Sequence, residues 1–196
     1  MNRYLWDDRK GMYADYDFVA GRSTGYVSAR GLYPLWARLA TQQQANLLIK
    51  KVLPLLEMPG GVAACSEKSR GPLSETRKAR QWDYPYGWAP HQMIVWEGLR
   101  RYGFNTVARR LAYRWLFTIT LNAVNYSGMI TEKYDVVKRS HEVFAEYGNV
   151  GSAVPDYAQT GFGWTNASYQ VGLSMLSKEL RKDLDELIPP EWVASY

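Results

Sequence analysis

The stretch Arg80-Gln-Trp-Asp-Tyr-Pro-Tyr-Gly-Trp-Ala-Pro90 is the most distinctive part of this chain. It holds two tryptophans and two tyrosines among arginine, glutamine and aspartate side chains, which form hydrogen bonds. Planar rings flanked by such groups suit a sugar, which has apolar C–H faces and a rim of hydroxyls. Composition alone favours a buried tryptophan cluster beneath a proline-rich turn, so both interpretations stay open at this point.

The rest of the chain has the composition of an ordinary globular protein. Its 196 residues are the length of one domain or of part of one, with 46% hydrophobic and 22% charged residues. The net charge of +5 permits an anionic partner without requiring one. The single cysteine, Cys65, excludes an internal disulfide framework. With neither a signal-peptide pattern nor a run of about 18 apolar residues, the sequence predicts a cytoplasmic protein without a membrane partner.

Helical periodicity dominates after residue 31. Thr41 followed by Gln44 has the form of a capping box at the start of one helix, and Asn105 is predicted to cap another. A last helix is predicted from about residue 166. The predicted apolar faces are Ala45, Leu48, Ile49 and Val52; Ile94, Val95, Gly98, Leu99 and Tyr102; and Val107, Ala108, Leu111, Ala112, Trp115, Leu116 and Ile119.

Few other patterns predict structure or chemistry. The alternation over residues 13–18 predicts one short strand or extended segment. Phosphate-loop, dinucleotide-binding and zinc-protease motifs are absent from the sequence. Cys65 is expected to be a small core or loop residue rather than a nucleophile, and His91 and His141 are too far apart in sequence to predict a metal site. No cofactor is therefore expected, and carboxylates and aromatic rings in the loop-rich regions 61–90 and 127–163 remain as candidates.

The residues Gln81–Pro90 match one of the two diagnostic motifs of the trehalases, which are inverting hydrolases of α,α-trehalose. The order of further motifs agrees with that family, and some of them resemble the cytosolic neutral trehalases of fungi more narrowly. These motifs are Pro59-Gly-Gly61, Ser66-Glu-Lys-Ser69, Ser69-Arg-Gly-Pro72, Glu132-Lys-Tyr-Asp135, Ala145-Glu-Tyr-Gly-Asn149, Gly161-Phe-Gly-Trp164-Thr-Asn166 and Asn166-Ala-Ser-Tyr169.

The resemblance implies an all-α fold, the C-terminal portion of an (α/α)6 toroid of helical hairpins with long functional loops. Residues 1–196 would then form the C-terminal part of a single glycoside hydrolase domain. The family's general acid, an aspartate, belongs to a region upstream of this stretch. We therefore expect the chain to need that upstream part as its partner and to release little glucose from trehalose alone.

The resemblance also implies roles for individual residues. Glu132 is similar to the catalytic general base, which takes a proton from the water that attacks the anomeric carbon. Glu146 is similar to a second carboxylate, which binds glucose hydroxyls. The other implied substrate-binding residues are Gln81, Trp82, Asp83, Trp88 and Arg70, although Trp88 also fits a core position and Arg70 also fits an ion pair.

Departures from the family pattern keep an alternative open. Thr160 stands where an acidic residue is expected, and Glu142 stands where fungal relatives usually have arginine. A non-catalytic truncated or degenerate trehalase copy is therefore an alternative to an enzyme.

A basic nucleic-acid-binding helical domain is a more remote alternative. It would rest on Arg100-Arg101-Tyr102 and on the arginines between residues 109 and 114. Because Arg110 and Arg114 would share one side of a helix beside an apolar stripe, we favour a solvated helix flank and expect no nucleic-acid partner.

Overall fold

The computed structural model describes residues 2–145 and 161–196, and helices are the main elements of this part of the chain. The α-helices are α1 (Asn2–Leu5), α2 (Tyr33–Trp36), α3 (Gln42–Lys51), α4 (Glu67–Arg70), α5 (Ala89–Arg101), α6 (Asn105–Asn125), α7 (Gly163–Met175) and α8 (Lys178–Asp185). Two 3-10 helices cover Ala29–Leu32 and Leu53–Leu55. Within the described ranges, no helix combines the length and apolar character that crossing a membrane requires.

The strands of the described residues form small antiparallel pairs. They are β1 (Trp6–Asp7) with β2 (Met12–Tyr13), β3 (Tyr16–Asp17) with β4 (Arg22–Ser23), β5 (Glu57–Met58) with β6 (Gly61–Val62), and β7 (Tyr86–Trp88) with β8 (Lys133–Asp135). Each strand pair is too short to form a hydrophobic core of its own, so the helices form the core of this part of the chain.

Helices α5, α6 and α7 pack on one another at the centre of the core. The predicted apolar face of α6 is confirmed, because its residues are buried except for Val107, which is partly buried. Burial extends further around α6 than the predicted stripe, as expected for a helix enclosed by neighbours. The buried side chains of α6 are Ala108, Leu111, Ala112, Tyr113, Trp115, Leu116, Phe117, Thr118, Ile119 and Asn122.

Trp115 connects α6 to two other elements. Its indole Nε1 donates a hydrogen bond of 2.9 Å to Ser168 Oγ on α7. Its ring meets Tyr134 on β8 edge-on, with the ring centroids 5.5 Å apart. The side chain is fully buried, so one residue ties the central helix both to α7 and to the strand that follows residue 132.

The helix starts were predicted with mixed success. The capping box of α3 is confirmed, because Thr41 Oγ1 accepts from the Gln44 amide and Gln44 Oε1 accepts from the Thr41 amide. The prediction that Asn105 caps α6 is wrong. The chain turns at Gly103, which has a φ of +84°. The Phe104 carbonyl then accepts from the Ala108 amide, so Phe104 is the N-cap residue and Asn105 is the first helical residue.

The segment predicted as a final helix from about residue 166 contains two helices. Helix α7 begins at Gly163, three residues earlier than predicted. Ser177 then caps α8, with its Oγ accepting from the Leu180 amide at 3.2 Å. The side-chain cap at Ser177 therefore divides the predicted helix into two.

The short strand or extended segment predicted over residues 13–18 is divided between two strand pairs. Strand β2 ends at Tyr13, and β3 belongs to a separate hairpin. Asp17 Oδ1 accepts from the amides of Val19 and Ala20, which turns the chain at once after β3.

The pair of β7 and β8 joins the two loop-rich regions. Its register places Gly87 opposite Tyr134 and Trp88 opposite Lys133. A Cβ on Gly87 would lie 2.4 Å from Val136 Cγ1, so only glycine lets the backbone approach this closely. This pairing, which the sequence did not predict, brings the Gln81–Pro90 stretch to residue 132.

Candidate active site

Trp82 and Trp88 form a stacked pair. Their ring centroids are 3.8 Å apart and the ring planes differ by 8°. Trp82 is 44% exposed, whereas Trp88 is 1% exposed and its Nε1 donates a 2.7 Å hydrogen bond to the Gln81 carbonyl. The buried indole thus supports an indole that keeps much of its surface in contact with solvent. Trp88 fits the core position considered from the sequence, and its role in substrate binding stays a prediction.

Lys133 connects this stack to Glu132. Its ammonium lies 4.9 Å from the centroid of the Trp88 ring and 2.5 Å from Glu132 Oε2. Lys133 is fully buried and Glu132 is 7% exposed. Burial lowers the pKa of Lys133, and the hydrogen bond with Glu132 opposes that shift. A series of contacts, from Trp82 to Trp88 to Lys133 to Glu132, therefore connects an exposed indole with a buried carboxylate.

Helix α7 covers the other side of this cluster. Trp164 meets Trp88 edge-on, with the centroids 5.7 Å apart. The next residue, Thr165, is buried and its Oγ1 donates a 3.3 Å hydrogen bond to the Glu132 carbonyl. The Gly161–Asn166 motif thus contacts both the tryptophan stack and the backbone of residue 132.

Asp83 belongs to a separate hydrogen-bond network. Its Oδ1 accepts a 2.9 Å hydrogen bond from the Tyr26 hydroxyl and lies 3.8 Å from Cys65 Sγ. Burial raises the pKa of both Tyr26 and Cys65. Of the core and loop positions predicted for Cys65, the structure shows the buried one, and its sulfur accepts from the Tyr84 amide. The Asp83 carboxylate is fixed by this network rather than by the Glu132 cluster.

The other predicted substrate-binding residues are Arg70, Gln81 and Glu146. Arg70 pairs with Glu67 at 3.4 Å and donates from Nε to the Gly71 carbonyl, so the ion-pair alternative describes its observed contacts. The Gln81 side chain is partly exposed. Glu146 and Thr160 lie outside the described residues.

Arg110 and Arg114, two of the α6 arginines considered for nucleic-acid binding, contact a carboxylate. Arg110 binds Glu57 through two hydrogen bonds of 2.8 and 2.9 Å, and Arg114 lies 3.5 Å from the same side chain. Guanidinium groups engaged in this way are poorly placed to contact phosphates. The observation agrees with the preferred interpretation of this face as a helix flank.

A cavity of about 800 Å³ adjoins the Asp83 side of the stretch. Tyr26 and Tyr84 line it, together with Lys10, Lys51 and Lys68. Neither Glu132 nor Trp82 lines this cavity. Across residues 2–145 and 161–196, no three His, Cys, Asp or Glu side chains are grouped as metal ligands.

His91 is a buried histidine that contacts the exposed indole. Its ring centroid lies 5.3 Å from that of Trp82, and its Nδ1 has no hydrogen-bond partner in the described part of the chain. Burial, with a smaller contribution from Arg30, lowers the pKa of His91 to about 4. The imidazole is therefore neutral near neutral pH.

We expect mild acid to destabilise the chain through His91. The imidazole binds a proton in the unfolded chain below about pH 6.5 but stays neutral in the fold down to about pH 4, so its contribution to stability is complete above pH 6.5 and falls with pH. By pH 5 the loss amounts to about 2 kcal/mol. Urea unfolding of the parent and of His91→Met at pH 7 and pH 5 measures it. The variant should lose about 2 kcal/mol less than the parent, and equal losses would contradict the expectation.

The structure links Trp82 and Trp88 to Glu132 through the Lys133 ammonium. Asp83 and Arg70 belong to other networks. Lys133 and Tyr26 are not among the site residues predicted from the sequence. Lys133 follows Glu132 directly in the Glu132–Asp135 motif, and this adjacency could have indicated a contact between them. Tyr26 is 57 residues away from Asp83, and no local pattern indicates that contact.

Solved structures identify the class of fold. Neutral trehalase Nth1 from Saccharomyces cerevisiae matches 97% of this chain and 31% of its own, with a TM-score of 0.83 and 47% identity. A GH63 mannosylglycerate hydrolase from Thermus thermophilus matches 87% of this chain and 35% of its own, with a TM-score of 0.59 and 25% identity. The fold is part of an (α/α)6 toroid of the kind found in these enzymes, and the predicted fold class is confirmed.

Sequence comparison identifies the family. A family model described as Trehalase matches residues 1–177. Cytosolic neutral trehalases of Saccharomyces cerevisiae and Emericella nidulans are 52% and 49% identical over 192 and 193 residues. The chain belongs to the trehalase family. Each alignment covers 97% of this chain and 26% of the relative, so the chain spans about a quarter of the length of these relatives.

Proposed function

We propose that this chain supplies the general base, Glu132, and part of the sugar site for the hydrolysis of α,α-trehalose to two glucose molecules with inversion. Family membership supports the substrate. The observation that carries the proposal is the contact path from the exposed Trp82 through Trp88 and Lys133 to Glu132. It links a surface suited to a sugar ring with a buried carboxylate.

In the proposed reaction, the Glu132 carboxylate takes a proton from a water molecule. The water oxygen forms a bond with one anomeric carbon while the glycosidic C–O bond to the second glucose breaks. A general acid on the other side of that bond donates a proton to the departing oxygen. The acid is proposed to be an aspartate from the remainder of the catalytic domain, about 6.5–9.5 Å from Glu132 as inverting enzymes require.

The exposed part of the Trp82 ring is proposed to contact the apolar face of a glucose unit. Asp83 and Gln81, on either side of it in sequence, would hydrogen-bond the hydroxyls. Glu146 and Arg70 remain candidates for the same task, and no metal or cofactor is part of the scheme. The names of the relatives support a cytosolic location for the protein.

The experiment is a chimera in which this chain replaces the aligned segment of the Saccharomyces cerevisiae cytosolic neutral trehalase. The two segments are 52% identical, so the packing against the remaining domain should be retained. We expect the chimera to release glucose from trehalose within about tenfold of the parent rate, and the isolated chain to be at least about 100-fold slower because the acid is proposed to lie in the remainder of the domain. Proton NMR of the first product should show one β-glucose for each α-glucose, the signature of inversion.

Other outcomes are equally informative. A folded chimera that binds glucose but releases none from trehalose would support the non-catalytic copy and reject the proposal. Turnover by the isolated chain at the chimera's rate would show that it contains an acid of its own. Formation of α-glucose alone would reject the inverting mechanism.

A further inference from the structure

We propose that Lys133 is a positioning residue that holds the Glu132 carboxylate in its reactive orientation, and that Trp88 holds the Lys133 ammonium in turn. The inference rests on the proposed role of Glu132 and adds residues that act through it. Three observations carry it: the strand register, the burial of the lysine, and the contacts of its ammonium with the Trp88 ring and with Glu132.

The register of β7 and β8 determines where the lysine lies. Trp88 pairs with Lys133 across the two strands, and cross-strand partners have neighbouring side chains. The ammonium lies 4.9 Å from the centroid of the Trp88 ring, a distance at which the ring attracts a cation. The backbone pairing and the ring together fix the ammonium in space.

The fixed ammonium then restrains the carboxylate. Lys133 Nζ lies 2.5 Å from Glu132 Oε2, within the range of a charge-assisted hydrogen bond. The backbone of Glu132 is held independently, because its carbonyl accepts from Thr165 Oγ1. With both backbone and side chain restrained, the carboxylate loses the rotational freedom that would otherwise reduce productive contact with water.

Full burial separates this role from substrate binding. Lys133 has no surface exposed to solvent, so a sugar cannot reach it in this conformation. Its removal should therefore reduce kcat and leave the KM for trehalose nearly unchanged. A residue that only bound the sugar would change KM instead.

The experiment uses the chimera with Lys133→Met, Lys133→Arg and the control Lys138→Met. We expect Lys133→Met to lower kcat by about 10–100-fold while KM changes by less than about threefold, and Lys133→Arg to recover at least about a third of the lost activity on a logarithmic scale. Lys138 is exposed and follows β8 by three residues, so its variant should match the parent.

Circular dichroism and glucose binding show whether each variant is folded. A folded Lys133→Met with kcat within about threefold of the parent would overturn the inference. Equal losses in the Met and Arg variants would also overturn it, since charge would then be irrelevant. If Lys133→Met does not fold, Trp88→Phe decides, because it keeps a ring but weakens its attraction for the ammonium. A reduced kcat with unchanged KM supports the inference, and an unchanged kcat rejects it.

Glu132→Gln in the same chimera separates this inference from the proposed function. If that variant keeps full turnover, the proposed function fails and the present inference fails with it. If it is inactive while a folded Lys133→Met is fully active, the role of Lys133 alone is rejected.

Discussion

Glutamine in place of Glu132 should lower the kcat of the chimera for trehalose by about 10²–10⁴-fold, the usual contribution of a general base. The amide keeps the shape of the side chain, and its oxygen can still accept the hydrogen bond from Lys133 Nζ. It cannot take a proton from water, so the chemical step is lost while the site keeps its form. The rate of glucose release from trehalose at saturation measures the effect.

Binding and a matched control make this result specific. Glucose affinity, measured by calorimetry, should stay within about threefold of the parent because the ring surface of Trp82 is untouched. Glu97→Gln is the control, since Glu97 lies on α5 and pairs with Arg100 and Arg101. It should keep full turnover. Undiminished hydrolysis by Glu132→Gln would remove Glu132 from the role of base.

Alanine in place of Trp115 should cost about 3–5 kcal/mol of unfolding free energy, the range for emptying a large aromatic site in a core. The side chain is fully buried, and the change also leaves Ser168 Oγ without the donor that it accepts from. Its edge contact with Tyr134 disappears as well. Urea unfolding of the chain, followed by circular dichroism, gives the difference.

Two further variants of α6 test the cause. Trp115→Phe should lose less than Trp115→Ala because most of the ring volume stays. Val124→Ala, on the exposed side of the same helix, should change stability by no more than about 0.5 kcal/mol. A loss below about 1 kcal/mol for Trp115→Ala would show that the three elements do not depend on this indole.

Local patterns in the sequence predicted the helices well. Two examples are the cap formed by Thr41 and Gln44 and the apolar face of α6. Both depend on residues within a few positions of one another, so residue spacing and periodicity predict them. The start of α6 was misjudged because Asn105 is a good capping residue type, whereas the turn at Gly103 had already set the helix start. Residue type favours a cap, but the preceding turn decides its place.

The site was only partly predictable for the opposite reason. The motifs indicated Glu132 and Trp82, but the contacts that connect them depend on the pairing of β7 with β8. Each of these strands has three residues, and they are about 45 residues apart in sequence. Short strands have little period to detect, and long-range pairing has no local signal. The contact of Tyr26 with Asp83 is hidden in the same way.

The brevity of the β7–β8 pairing implies a rule for how this protein can vary between species. Side chains alternate in direction along a strand, so sliding one strand past the other by a single position would aim Lys133 away from the Trp88 ring. An inserted or deleted codon within residues 86–88 or 133–135 should therefore be eliminated by selection even where the fold survives. Length changes should accumulate instead in surface turns such as Phe18–Gly21, where neither β7 nor β8 is shifted.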